Sequence, residues 1–397
     1  MKKGLKVFTI LIIIYSVGMA LAFSLPNEYI EKNVNSSIVI LDNEGLYFRL
    51  NSSDAKATKL DNFTDRQMIR RTIGIDKNPI ISAMSMTNYA RYWHGYQIFL
   101  RPLLFLVNYA VIRQLYGFIL ILLLGINFYL LIKKLDIFIA LSLFISLYFA
   151  RFYTFFLSMQ FTNVFFLALI FNVFLLTRKE ININSSSFLL YFFVIGSLTN
   201  FFDLLTVPLI TLGIPLVILA YYSLKNSYFK QVSLLKSIIN IVLISLSWGL
   251  GYALTWVSKW IIGTLILKQN VLKDAFNTVL FRTEGNEKYP LDRVNMFHLN
   301  LTTMFNKFNI SLLVLFILLT IYIIIIKRKE LLNKINMNSI IIIPIISFPY
   351  IWYGVLANHS QIHYWFTYRL QIISVFALLA FLSYIASSLL LNDKIED

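Results

Sequence analysis

Apolar runs of about 16 to 26 residues recur along the chain, at 7–24, 115–132, 136–151, 160–177, 187–202, 204–222, 237–262, 309–326, 338–357 and 370–391. Each approaches the roughly 20 residues that an α-helix needs to cross the hydrocarbon core of a bilayer. The pattern predicts an all-α polytopic membrane protein of about ten transmembrane helices, a single integral membrane domain over residues 1–397. The runs 136–151 and 187–202 are short, and a re-entrant path is open to both. The first run follows a basic start, MKKGLK, as in a signal peptide, yet about 18 apolar residues are long for a signal core. It reads as an uncleaved first helix.

Two polar stretches, 25–114 and 263–308, separate the runs. In the first, SIVIL (37–41), DNEG and LYFRL (46–50) read as a small β-hairpin around a turn. Thr64 and Gln67 form a capping box opening a helix that runs to about residue 74. Residues 97–113 are apolar but interrupted by Arg101 and Arg113, which suits a helix lying in the membrane interface. Tyr89, Tyr92, Trp93, Tyr96, Tyr364, Trp365 and Tyr368 crowd one boundary, as interfacial aromatic belts do.

Composition sharpens this picture. With 58% hydrophobic and 14% charged residues and a mean hydropathy of +0.72, the chain has too much apolar surface for water as its only solvent. The net charge of +16 is then a topology signal, and no nucleic-acid partner is called for. Short loops on one side carry Lys133, Lys134, Arg178, Lys179, Lys225, Lys230, Lys236, Lys327, Arg328 and Lys329, while those on the other carry Arg151 and Arg369. The positive-inside rule places both termini in the cytoplasm, and residues 25–114 and 263–308 become extracytoplasmic loops in a cell membrane. All four histidines fall on that outer side. The absence of cysteine removes disulfides, thiolate metal sites and Cys nucleophiles.

Residues able to do chemistry gather in a few segments. Asp61 and Asp65, in LDNFTD, are either helix-start caps or a general base at the membrane surface, and Asp65 is narrowly the better base because Asp61 is the more natural cap. Arg91, His94 and Arg101 lie within eleven residues, as headgroup-seeking belt residues or as a phosphate-holding patch. His359, His363 and Arg369 share one outer turn, NHSQIHYWFTYR. The i, i+4 histidines invite zinc, but Ser360 stands where HExxH needs glutamate, so phosphate is the better ligand and no metal site is assigned. Asn200 and Asp203 mark a span boundary, and Arg282, Glu284, Asp292, Arg293 and His298 punctuate the second loop. Of these, Asp203, Arg282 and Glu284 are secondary site candidates. No GxxxxGK[ST], GxGxxG or GxSxG motif is present, which argues against nucleotide-driven pumping and α/β-hydrolase chemistry.

The layout resembles the GT-C superfamily of membrane glycosyltransferases: a cytoplasmic start, one helix, a large acidic outer loop, many further spans, and His/Arg groups near the last helices. NYARYWHGYQIFLRPLL and NHSQIHYWFTYR are also similar to segments of multi-pass proteins of Gram-positive bacteria to which no reaction is attached. The superfamily resemblance implies a polyprenyl-phosphate sugar as donor, a cell-envelope glycan as acceptor, and no further cofactor, with a divalent metal left open. It implies an acid at Asp61 or Asp65 and lipid-phosphate contacts among Arg91, His94, His359, His363 and Arg369. Three other readings remain: a transporter or flippase of lipid-linked glycans, a polysaccharide polymerase or ligase, and a non-catalytic component of an envelope-assembly complex. A transporter should line the bundle with polar residues at midplane depth, where these spans are nearly clean, and a non-catalytic component should not bring these segments around a common outward cavity.

Overall fold

A computed structural model describes residues 2–178, 186–225, 233–335 and 337–391; Lys179 and Lys230 of the basic short loops lie outside these. Helix dominates as expected, and the strands among the described residues are a two-residue antiparallel pair, Gly285–Asn286 with Tyr289–Pro290.

Seven segments among the described residues are long and apolar enough to cross a membrane. They include α1 (Lys2–Ser24) and, after the first polar stretch, α6 (Tyr109–Lys134). That stretch folds as α2 (Asn27–Glu44), α3 (Asn62–Arg70), α4 (Pro79–Ser85) and α5 (Gln97–Leu106). Next come α7 (Ile137–Phe149), α8 (Met159–Leu176), α9 (Ser186–Phe202), α10 (Ile210–Lys225) and the long α11 (Leu234–Leu267). The second polar stretch carries α12 (Val271–Glu284) and α13 (Arg293–Met304), and α14 (Lys307–Ile326) and α15 (Arg328–Lys334) follow. A 3₁₀ segment, Met337–Ser347, leads into α16 (Phe348–Val355). The chain closes with α17 (Ala357–Ile362), α18 (Tyr364–Thr367) and α19 (Ile372–Leu390). Of these, α8, α11, α14, the Asn338–Val355 stretch and the Tyr364–Leu390 stretch complete the seven.

The expectation of about ten spans therefore differs from the structure at three runs, which fold as the shorter apolar helices α7, α9 and α10. At 1.5 Å per residue the 13 residues of α7 reach about 20 Å and the 16 of α10 about 24 Å, short of a core of roughly 30 Å. The shortening has local causes. Asp136 caps α7 by accepting from Ile139 N at 3.0 Å. Asp203 holds the backbone of Thr206 and so delays α10 until Ile210.

The β-hairpin expected over 37–50 is a helix instead. Ile30, Val34, Ser37 and Leu41 bury one stripe of α2, and SIVIL is its last turns. The helical spacing reaches back to Ile30, and burial of that stripe outweighs the β-branched run. Gly45, at φ +89°, then ends the helix in a conformation that a side chain would strain. LYFRL survives as a single bridge, Arg49 to Lys59. The interfacial helix expected over 97–113 is broken in two: Asn108 caps α6, so Arg113 belongs to the long helix.

Buried arginines lash the first polar stretch to the bundle. Arg101 Nε donates to Ala22 O at 2.8 Å, and its terminal nitrogens reach the carbonyls of Leu25 and Thr72. Arg113 pairs with Glu44 at 2.6 Å, and Arg151 with Asp54 at 2.8 Å. Just before α19, Tyr368 Oη donates to Ala57 O at 2.8 Å and Arg369 Nη2 to the same carbonyl at 3.2 Å.

Helices α9 and α11 cross with their backbones in contact. A Cβ on Gly196 would collide with the Trp248 carbonyl, and one on Gly251 with the Phe193 carbonyl. Small residues permit this approach where lipid supplies no hydrophobic driving force between helices. Gly251→Ala should force the pair apart and lower stability by about 1–3 kcal/mol, read as a lower thermal midpoint in detergent. An unchanged midpoint would show that the contact is dispensable.

Candidate functional site

The site begins at the first turn of α3. Asp61 is its N-cap: Oδ1 accepts from Thr64 N at 3.1 Å and Oδ2 from Thr64 Oγ1 at 2.9 Å. The capping box expected to start at Thr64 is thus replaced by a cap three residues earlier. Capping leaves the Asp61 carboxylate on the wall of a cavity of about 430 Å³. Burial pushes its pKa up from 3.8 to about 6, with Asp65 adding to the rise and the two Thr64 hydrogen bonds opposing it. Arg71 reaches the same cavity from just beyond α3, and Gln160 from the first turn of α8.

The opposite wall comes from the far end of the chain: Arg282 of α12, His359 of α17, then His363, Trp365 and Phe366. Hydrogen-bond logic fixes the state of His359. Its Nε2 faces the Leu205 carbonyl at 2.8 Å and must donate, while its Nδ1 faces Arg282 Nη1 and must accept. His359 is therefore a neutral Nε2–H tautomer, in agreement with a pKa that burial first, then Arg282 and His363, hold well below the usual range. His363 stacks on Phe366, with ring centroids 4.9 Å apart, and burial lowers its pKa to about 3. We expect the ¹⁵N NMR spectrum of His359 to show the Nε2–H form unchanged from pH 8 down to about pH 5.5, well below the unperturbed imidazole value; a titration in that range would overturn this tautomer.

Two arginines in one small cavity need explaining. Neither Arg71 nor Arg282 is in an ion pair among the described residues, although Arg66, Arg91, Arg113 and Arg151 all are. The Nε atoms of Arg71 and Arg282, His363 Nδ1, Trp365 Nε1 and Gln160 Oε1 are buried without a hydrogen-bond partner. A buried polar atom left without a partner costs about 1–3 kcal/mol; here the two guanidinium groups and the Trp365 indole are donors, Gln160 Oε1 is an acceptor, and Nδ1 of the neutral His363 can serve as either. At the cavity mouth, Lys59 stands over the rings of Trp365 at 3.9 Å and Tyr47 at 4.3 Å.

The other sequence candidates lie outside this lining. Asp65 is fully buried behind Asp61, accepting from Tyr109 Oη at 2.7 Å, Met159 N at 3.2 Å and Gln160 N at 3.0 Å. It thereby caps α8 from another helix, where the α8 N-cap residue Ser158 makes no side-chain cap of its own. Arg91 pairs with Asp274 at 3.1 Å and lies over the Tyr89 ring at 4.1 Å, so it touches the cavity through a lining residue. His94 is buried between Tyr96 Oη and Tyr89 O. Arg101 and Arg369 are committed to backbone carbonyls. Asp203, raised to about 7 by burial, accepts from Thr206 N and shapes the turn in which Leu205, at φ +68°, offers its carbonyl to His359. Glu284 and His298 are exposed. Among the described residues no group of three His, Cys, Asp or Glu side chains is placed to hold a metal ion.

The arrangement joins Asp61, Arg282, His359 and His363, which the sequence singled out, with Arg71 and Gln160, which it did not. Comparison with family models, with curated proteins and with solved structures finds no match to this chain.

Proposed function

We propose that the protein is a membrane glycosyltransferase of GT-C type. It moves a sugar from a polyprenyl phosphate to a cell-envelope glycan on the extracytoplasmic face. The observation that carries this reading is that Asp61, a carboxylate whose pKa burial raises to about 6, lines a single cavity with two arginines without ion pairs, Arg71 and Arg282. The acceptor hydroxyl oxygen attacks the anomeric carbon and its proton passes to Asp61. The bond from that carbon to the phosphate oxygen breaks, and polyprenyl phosphate leaves with the electron pair. Arg71 and Arg282 neutralise the leaving phosphate, because a guanidinium meets phosphate oxygens as a two-pronged donor. A base with a pKa of about 6 is mostly ionised at pH 7 while still able to take a proton in the transition state.

A carboxylate between two cations would also suit a carrier of lipid-linked glycans, so the decisive measurement is consumption of donor. Purified protein in proteoliposomes, given a polyprenyl-phosphate sugar and an acceptor glycan, should release polyprenyl phosphate. Movement of intact donor across the bilayer without release would establish the carrier reading, and inertness in both assays the assembly-component reading. Orientation has its own check. Reporter fusions at Lys133, Lys225 and Lys329 should report cytoplasm, and fusions near Asp65, Asn286 and Ser360 the outside.

A further inference from the structure

Helix α12 presents three different surfaces. Val271 and Ala275 are buried, and Ala275, Thr278, Val279 and Arg282 line a narrow cleft against the end of α11. Lys273, Asp274 and Asn277 make a polar face that is exposed. Between them runs a third stripe, Leu272, Phe276 and Leu280, spaced four residues apart and open along its length, with Phe276 62% exposed. An apolar stripe set between a packed face and a charged face is the pattern of a helix lying in a membrane interface.

The level of that stripe in the molecule names its occupant. Lys268, in a left-handed conformation, ends α11 and turns the chain so that α12 folds back along it, Val271 meeting α11 at Gly263. Ala275, Thr278 and Val279 then share the cleft with Trp256 and Trp260 of α11. Both indoles donate to Arg91 O, at 2.8 and 2.9 Å, and tryptophans at a span end mark the headgroup level. Ile261 and Leu265 of α11 are also exposed at that end, as Leu272 and Phe276 are on α12. Lys268 and Lys273 flank it, cations suited to phospholipid phosphates. A single row of three side chains is too narrow for a second copy of the chain, since a stable protein interface takes about 800 Å² from each partner.

We propose that α12 is an interfacial helix whose Leu272–Phe276–Leu280 stripe rests among phospholipids at the headgroup–acyl boundary. The far end of α12 is pinned to the cavity: Asn358 Nδ2 donates to Phe281 O at 2.7 Å and Arg282 meets His359. Lipid packing under α12 therefore bears on where Arg282 stands. The inference is independent of the reaction assigned to the cavity.

The chain has no cysteine, so single Cys residues can be spin-labelled without background. Phe276→Cys, Leu280→Cys and Lys273→Cys, each labelled with a nitroxide, would be reconstituted in vesicles of phosphatidylcholine and phosphatidylglycerol. Electron paramagnetic resonance saturation then measures contact with oxygen, which concentrates in lipid, and with a water-soluble nickel chelate. Labels at 276 and 280 should favour oxygen and the label at 273 nickel. Nickel contact at 276 and 280 equal to that at 273 would place α12 in water. Protection of 276 and 280 from both agents would place protein on the stripe. Either outcome overturns the proposal, and neither touches the glycosyltransferase reading.

Discussion

Asp61→Asn should slow sugar transfer by roughly 10²–10⁴-fold while leaving the protein more stable at neutral pH. Asparagine keeps the cap on α3, since its amide oxygen accepts from Thr64 N as the carboxylate does. It lacks the basic lone pair that takes the acceptor proton in the proposed transfer. The stability effect follows from linkage. The folded carboxyl titrates near 6 and the unfolded one near 3.8, so between those values the folded state holds the extra proton. Stability from this group is fully present below about pH 4 and is lost as pH rises through about 6. At pH 7.5 the wild type thus carries a buried charge that the Asp61→Asn variant lacks, a difference of up to about 3 kcal/mol. Transfer by the wild type should fall off below about pH 6, as its base becomes protonated. Thermal midpoints and initial rates measured across pH 4 to 8 test both halves. A variant that transfers sugar at the wild-type rate would reduce Asp61 to a cap.

Asp65 should behave in the opposite way. Asp65→Leu strands the Tyr109 hydroxyl and the Gln160 amide in a site closed to water, and leaves Met159 N with Tyr109 Oη alone. Each stranded donor costs about 1–3 kcal/mol, so the thermal midpoint should drop steeply or folded protein should fail to accumulate. Asp65→Asn keeps one acceptor and should fall between. Any Asp65→Asn protein that does fold should retain most of its transfer activity, because the side chain at this position faces α8 and not the cavity. Wild-type stability in Asp65→Leu would remove the capping role. Two carboxylates one helical turn apart thus divide the work, one exposed to the cavity and one built into the frame.

That division was not legible in the sequence. The segment LDNFTD, the NHSQIH turn and Arg282 stood out because ionisable groups are scarce in so apolar a chain, and scarcity did lead to groups that share one cavity. Which of Asp61 and Asp65 faces it depends on the helix starting at Asn62, a matter of one or two residues that cap preferences do not decide. Arg101 and Arg369 were expected to hold phosphate, but three-dimensional proximity gives them to carbonyls of Ala22, Ala57 and Ala150. Arg71 and Gln160 went unnoticed. One follows Arg70 at a helix end and the other opens an apolar run, and nothing in their neighbours separates them from ordinary boundary residues. The α2 helix was hidden by SIVIL, a run whose β-branched residues favour a strand until the stripe back to Ile30 is read with them.

The bonds from Tyr368 and Arg369 to Ala57 and Ala150 carry a consequence for biogenesis. A chain made from its N-terminus delivers Asp61 and Arg71 early, but His359, His363 and the residues that lock the first segment in place arrive almost last. Through most of translation Asp61 and Arg71 have no opposite wall and the cavity does not exist. A nascent chain stalled before Tyr368 therefore leaves the translocon with its first segment unlocked and the cavity unfinished.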